Sequence, residues 1–305
     1  MSDLISVIIP AFNEEAMIKT AYNEIRQVII SLNVDYEFIF VDDGSSDRTF
    51  EEVKEVSLED SNVHCVSFSR NFGKESAIFA GLKESKGNCC VVMDCDLQHP
   101  ANVIPEMYRL WKEGYEIVEG VKKDRGKESI LYRLMAKIFY SVISRCSNID
   151  LKDASDFVLM DRIVIDSLIS FPEAAPFFRG LSRWVGFRSV KVPFEVSERR
   201  FGNSKWSKAG LFKYAIHNIT IFSADPLQLV TVMGVLFIIA SIFLGGEALY
   251  RYFTQTALGG FTTVIGLILL TGGIIMISLG IIGLYISKIY DEVKDRPRYI
   301  IEKRI

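Results

Sequence analysis

Val91-Val92-Met93-Asp94-Cys95-Asp96-Leu97-Gln98-His99-Pro100 is the stretch on which the reading of this chain turns. The apolar run from Cys89 to Met93 has the length and β-branched content of a buried strand, and it stops in two carboxylates one residue apart. In a parallel sheet Asp94 and Asp96 fall at the strand's carboxyl end, where open α/β sheets take their ligands. Carboxylates so placed call for positive charge. A Mg2+ or Mn2+ shared with a diphosphate supplies it, because hard cations accept one or two carboxylates and complete their shell with phosphate oxygens and water. Asp-x-Asp alone is also an ordinary strand-end turn, so its surroundings carry the weight.

Upstream, residues 4–10 read as a first buried strand. Pro10-Ala11-Phe12-Asn13-Glu14-Glu15 then turns into a helix reaching residue 31, with Asn13 as its cap and Glu14 in its first turn. A second strand over 36–41 stops at Asp42-Asp43-Gly44-Ser45-Ser46-Asp47, where Gly44 permits a tight turn and Ser46 or Asp47 caps the next helix. A third strand, 63–68, leads through Ser69-Arg70-Asn71-Phe72-Gly73-Lys74 into a helix over 75–85, and another helix over 103–113 follows the central strand. This alternation predicts an α/β fold with a parallel sheet between helices, wound right-handed as in Rossmann-like nucleotide-binding domains. The strand ends at Pro10, Asp42 and Asp94 then line one edge. A carboxylate at Asp42 can accept hydrogen bonds from a base or ribose, although Asp-Asp-Gly-Ser is equally a common turn.

With 305 residues and 49% hydrophobic content, the chain can bury a full α/β domain and leave a further segment over. Its formal net charge of -3 gives no reason to expect nucleic acid as a partner. Met1-Ser2-Asp3-Leu4 lacks a basic region, so no cleavable signal is expected and this part of the chain should face the cytosol. Cys65, Cys89, Cys90, Cys95 and Cys146 have no zinc spacing and read as reduced, mostly buried thiols; Cys95 points to the face opposite its flanking aspartates. Residues 227–244 and 261–286 are uncharged and apolar, each about the roughly 20 residues that a bilayer span needs, with a buried soluble hairpin as the alternative. The tail carries Lys288, Lys294, Arg296, Arg298, Lys303 and Arg304, while residues 245–260 contain only Arg251 among basic residues; both ends of the hairpin are therefore expected on the cytoplasmic side.

Together, Val7-Ile8-Ile9-Pro10-Ala11-Phe12-Asn13-Glu14-Glu15, Val41-Asp42-Asp43-Gly44-Ser45-Ser46-Asp47, Arg70-Asn71-Phe72-Gly73-Lys74 and Asp94-Cys95-Asp96-Leu97-Gln98 resemble family 2 glycosyltransferases of the GT-A fold. With its two C-terminal apolar stretches the chain is similar to the polyprenyl-phosphate glycosyltransferases, above all the bacterial bactoprenol glucosyltransferases, with dolichyl-phosphate mannose synthases as relatives. The resemblance implies a cytosolic GT-A domain over 1–205, an amphipathic interfacial helix over 206–224, a transmembrane hairpin over 225–287 and a basic cytosolic tail over 288–305. It implies that Asp42 faces the nucleobase, with Pro10, Asn13 and Glu14 holding the nucleoside and Lys74, Asp94 and Gln98 the sugar diphosphate. Mg2+ or Mn2+ would be held by Asp96, Asp94 and Gln98, with Asp96 preferred as the direct ligand.

Further on, Lys122, Lys123, Arg125, Lys127 and Arg133 form a basic run that is usually a solvated loop, yet can hold a phosphate dianion beside a membrane. Arg133 matches a family Arg near the acceptor phosphate; Lys122 stands where relatives often carry Arg, so no forked contact is expected there. Residues 130–145 have an amphipathic helical pattern. Asp156-Phe157-Val158-Leu159 keeps the Asp of the family's Asp-Phe-Arg-Leu but replaces its Arg with Val158; Asp156 is the candidate catalytic carboxylate, beside Asp94. In Glu198-Arg199-Arg200-Phe201-Gly202-Asn203-Ser204-Lys205-Trp206, the residues Arg199, Ser204 and Lys205 match polar positions implied at the acceptor phosphate. Leu211, Phe212, Ala215, Ile216 and Ile219 then form one helical face, with Trp206 and Tyr214 suited to a headgroup boundary.

The implied reaction is inverting, metal-dependent transfer of a hexose from a nucleotide sugar to polyprenyl (undecaprenyl) phosphate at the cytosolic face of a bacterial inner membrane. Glucose from UDP-glucose is the first expectation, with N-acetylglucosamine and mannose behind it. A processive polysaccharide synthase would share the sugar-nucleotide half, but Arg183-Trp184 lacks the Gln of a Gln-x-x-Arg-Trp acceptor motif. A non-enzymatic sugar-lipid membrane subunit would need none of the Asp motifs. A homo-oligomer, up to a tetramer, is expected, since Gly266, Gly272, Gly273, Gly280 and Gly283 permit close helix contacts.

Overall fold

A computed structural model describes residues 2–123, 155–173, 176–195, 225–254 and 261–305. They fall into two compact units, one holding the described residues up to 195 together with Arg296–Ile305, the other those between 225 and 295.

The first unit begins with β1 (Leu4–Ala11), α1 (Ile18–Ser31), β2 (Asp35–Asp42), α2 (Thr49–Glu59), β3 (Val63–Phe68), α3 (Lys74–Glu84) and β4 (Cys89–Val92). It continues with α4 (Ile104–Lys112), β5 (Ile117–Lys122), β6 (Val158–Asp161), α5 (Arg162–Ile169), α6 (Phe178–Trp184), β7 (Ser189–Phe194) and β8 (Ile301–Arg304). All eight strands form one sheet in the order β7-β5-β6-β4-β1-β2-β3-β8. Ile5, Val7, Ile8 and Ile9 of β1 and Phe38, Phe40 and Val41 of β2 have no exposed surface. Such continuous apolar runs are what a sheet covered on both faces requires. α1 turns Ile18, Ala21, Tyr22, Ile25 and Ile29 inward, a three-to-four-residue repeat that makes one apolar stripe.

The parallel core β4-β1-β2-β3 follows the expected alternation of strand and helix. Elsewhere the sheet is mixed, which corrects the all-parallel expectation. β6 runs antiparallel between β4 and β5, pairing Val92 with Val158, and β8 lies antiparallel on β3. Because β6 is reversed, its beginning lies beside the end of β4, and the residues just before it join the carboxyl edge.

Two local expectations are also corrected. α1 starts at Ile18, not after Asn13; Asn13 has φ +55° and its side chain serves the β2–α2 loop. The tail over 288–305 divides, with residues up to Val293 continuing a long helix and Ile301–Arg304 forming β8. The segment before β8 is fastened to the first unit: Tyr299 stacks on Phe68 with ring centroids 4.8 Å apart, and Arg298 donates to the carbonyls of Phe171 and Glu173. The amphipathic pattern over 130–145 and the interfacial helix over 206–224 lie outside the described residues.

The second unit comprises α7 (Asp225–Phe253) and α8 (Phe261–Val293). Their stretches Val230–Glu247 and Leu270–Val293 have mean hydropathy 2.0 and are unburied, so both helices are long and apolar enough to cross a membrane.

Candidate active site

The carboxyl ends of β4, β1 and β2 are neighbours, with Ala11 in register with Asp42 and Ile8 with Val92. Past β4 the Met93 N–H still donates to Ile8 O, which holds the extended path into the acidic pair. From there burial alternates: Asp94, Asp96 and Gln98 are half-exposed, while Cys95, Leu97 and His99 are buried. The strand-end turn is real, since the Gln98 N–H donates to Asp96 Oδ1 at 3.1 Å and Leu97 takes φ +55°. A left-handed leucine is strained, and here the buried side chain holds it. The turn thus aims the carboxylates. Cys95 is a buried filler whose thiol is pushed up by burial.

Lys74 joins the pair to the rest of the site. Its Nζ lies 2.6 Å from Asp94 Oδ1 and 2.7 Å from Asp156 Oδ2. Asp156, just before β6, is only 4% exposed and also receives a fork from Arg179 of α6, Nε to Oδ1 at 2.5 Å and Nη2 to Oδ2 at 2.7 Å. Burial opposes ionisation of Asp156, but the Lys74 and Arg179 cations outweigh it and hold the carboxyl well below the usual range. At Asp94 burial is likewise outweighed by Lys74, while Lys74 itself is kept protonated by Asp156 and Asp94 against its own desolvation. Such a network is charged throughout at neutral pH, and it presents fixed charge more readily than a proton acceptor.

The start of α3 is set by Asp43, whose carboxylate accepts the N–H groups of Phe72 and Gly73. Burial pushes Asp43 up to about 6, the two backbone donors opposing it. Asp42 is buried as well, with Oδ1 accepting from the Ser45 N–H at 3.0 Å and Oδ2 from Ser67 Oγ at 2.7 Å. It is held more tightly than an open base-binding group would be, each oxygen keeping a second lone pair. Gly44 has φ +67°, and a Cβ there would come within 2.3 Å of Arg70 C, so only glycine lets the two loops approach. Asn13 and Glu14 lie against the same loop: the Asn13 N–H donates to Ser45 Oγ, Asn13 Oδ1 accepts from the Ser46 N–H, and the Glu14 N–H donates to Thr49 Oγ1. The N-cap position of α2 is Arg48 rather than Ser46 or Asp47; Asp47, one residue earlier, accepts the N–H of Thr49, the first residue of the helix.

Pro10 is buried in β1, at the same edge. Lys122 is exposed at the end of β5, which runs in the same direction as β4 and so points to that edge too. Arg125, Arg133, Arg199, Ser204 and Lys205 lie outside the described residues.

Three features escaped the sequence reading. Arg179 is one. The second is the buried pair in which Arg183, one turn later on α6, forks onto Glu119 of β5. The third is Glu75, which accepts the Phe178 N–H at 2.8 Å and is pushed up to about 7 by burial and then by the charge of Asp156. The four-residue spacing of Arg179 and Arg183 was the available signal, since it puts both on one helical face. His99 is buried with its ring stacked on Phe157, centroids 5.1 Å apart, and burial lowers its pKa.

Among the described residues no three His, Cys, Asp or Glu side chains converge as a metal cage. Half-exposed Asp94, Asp96 and Gln98 offer hard oxygens only. That donor set fits Mg2+ or Mn2+ held partly by the oxygens of a diphosphate, and it suits neither a structural zinc nor an all-protein calcium site.

Comparison with known proteins places this geometry among relatives. The family model described as glycosyl transferase family 2 matches residues 6–170. The chain is 41% identical over 300 residues to the uncharacterized glycosyltransferase YkcC of Bacillus subtilis, covering 98% of this chain and 93% of that one. It is 36% identical over 304 residues to the bactoprenol glucosyl transferase of Shigella phage SfII, covering 98% and 97%. To the prophage bactoprenol glucosyl transferase homolog of Escherichia coli K12 it is 35% identical over 301 residues, covering 98% of each. Among solved structures, glucosyl-3-phosphoglycerate synthase from Mycobacterium tuberculosis, in complex with Mn2+, UDP and phosphoglyceric acid, has the same fold: TM-score 0.52 at 23% identity, covering 72% of this chain and 76% of that one.

Proposed function

The chain belongs to glycosyl transferase family 2, and we propose that it transfers glucose from UDP-glucose to a polyprenyl phosphate at the cytosolic face of a bacterial inner membrane, with inversion. The observation that carries this reading is the ion network of Asp94, Lys74, Asp156 and Arg179 at the carboxyl edge of the sheet, next to the half-exposed Asp96. The names of the relatives in Shigella phage SfII and E. coli support the lipid acceptor and the glucose.

In this reading Pro10, Asn13, Glu14 and Asp42 hold the nucleoside, and Lys74 donates to the diphosphate. Asp94, Asp96 and Gln98 would hold Mg2+ or Mn2+, which when bound offsets charge growing on the departing diphosphate. Lys122, Arg125, Arg133, Arg199, Ser204 and Lys205 receive the acceptor phosphate. Its second pKa is about 6, so near neutral pH it arrives largely ionised and needs no strong base. One of its oxygens bonds to the anomeric carbon as the bond to the diphosphate breaks, and UDP leaves with the electron pair. Asp156, fixed as a carboxylate, stabilises the positive charge of an oxocarbenium-like sugar and orients the acceptor.

Membrane attachment is supported by the two long apolar helices and by chain connectivity. β7 precedes the helices and β8 follows them, yet both belong to one sheet. Two crossings therefore return the chain to the side it left, in keeping with a hairpin whose ends are both cytosolic.

The test is incubation of membranes containing the protein with a panel of radiolabelled nucleotide sugars. Label from UDP-glucose in extractable lipid, with no polymer formed, supports the reading. Label from a different donor overturns the sugar, and polymer or no transfer overturns the reaction.

A further inference from the structure

We propose that Arg179 is a positioning residue, setting the angle at which Asp156 presents its carboxylate to the reacting groups; this rests on the transferase reading above. Asp156 has two cationic neighbours of different kinds. Lys74 brings a compact charge on a flexible stem to one oxygen, and neutralises without fixing a plane. Arg179 brings a planar fork with one N–H to each oxygen, at 2.5 and 2.7 Å, and two parallel bonds leave the carboxylate a single orientation. The charge is thus supplied twice, but the direction only once.

The fork is itself held from behind. Phe178, the residue before Arg179, gives its N–H to Glu75 Oε2 at 2.8 Å, and Glu75 adjoins Lys74 at the start of α3. Lys74, Asp156, Arg179, Phe178 and Glu75 therefore close a ring across α3, the approach to β6 and the start of α6. One turn on, the Arg183 fork to Glu119 fastens the other end of this seven-residue helix to β5. A helix pinned at both ends delivers its guanidinium to a fixed place, and a misplacement of about 1 Å at such a point can cost roughly 100-fold in rate.

The experiment uses the full chain in membranes and compares wild type with Arg179→Lys, Arg179→Ala and Asp156→Asn. Arg179→Lys keeps the charge and loses the fork; its kcat is expected to fall by roughly 100-fold while KM for the nucleotide sugar and the Tm stay near wild type. Millimolar guanidinium should restore part of the kcat of Arg179→Ala and none of the activity lost in Asp156→Asn. Wild-type kcat in Arg179→Lys overturns the proposal alone. So does a loss in Arg179→Ala that guanidinium leaves untouched and that moves in step with Tm, since that marks a merely structural role. Absence of transfer by the wild type overturns the transferase reading, and this proposal with it.

Discussion

Lys74 places one ammonium between two carboxylates that would otherwise repel each other across the carboxyl edge of the sheet. Lys74→Met should lower transfer by roughly 100-fold or more, as losses of preorganised charge do, with nucleotide-sugar turnover as the measurement. Asp96→Asn removes a hard oxygen but keeps the acceptor that fastens the Gln98 N–H, so turnover should fall severely while the Tm stays unchanged. Asp43 makes a prediction about pH. Its folded pKa, about 6, lies above the ordinary carboxylate value, so the folded state keeps a proton that the unfolded chain has given up. The stabilisation from that proton is complete below the unfolded pKa near 4, is lost as pH rises to 6, and is absent above. Asp43→Asn should therefore flatten that loss, improving stability at pH 7 relative to pH 4 by on the order of 2–3 kcal/mol against wild type. Thermal unfolding of both proteins across that range checks it.

At the scale of elements, α6 is the case in point. Seven residues make a poor helix by themselves, and its position rests on Arg179, Arg183 and the N–H of Phe178. Arg183→Met leaves Glu119 charged and unpaired in the interior, which should cost about 3–5 kcal/mol in denaturant unfolding. Adding Glu119→Met to it should recover much of the loss. Of this only the four-residue spacing of Arg179 and Arg183 was readable in sequence; their partners were not, because Arg179 meets Asp156 across 23 residues and Arg183 meets Glu119 across 64. The parallel core was readable, since β1, β2 and β4 are mainly apolar runs ending in turn residues, and so was the place of Asp94 at its carboxyl edge; Lys74 and Asp156 entered only through the family resemblance. β6 was not readable. Four residues, Val158–Asp161, are too short to show a period, and their reversed direction follows from pairing with β4 and β5. Asn13 misled for a related reason: it is a good capping residue by type, but its oxygen has a better use on Ser46.

For the whole molecule, the long helices interrupt a sheet that is otherwise continuous in space. Within the expected basic cytosolic tail, Lys303 and Arg304 hide a strand whose partner lies more than two hundred residues earlier. Removing residues 296–305 should expose β3 as an edge and take away the stacking of Tyr299 on Phe68, lowering the Tm while leaving Asp94, Lys74 and Asp156 in place. Cysteines placed singly at Ser2 and Glu302 should both react with an impermeant thiol reagent from the same face of sealed vesicles. Labelling from opposite faces would overturn the paired crossing.

The placement of β8 also imposes an order of events during synthesis. The ribosome must pass both apolar helices before the strand that covers β3 exists, so the nascent enzyme carries an unprotected hydrogen-bonding rim until then. Completion of the catalytic half therefore waits on synthesis of both long apolar helices, and a chain stalled before β8 is left both incomplete and prone to aggregate.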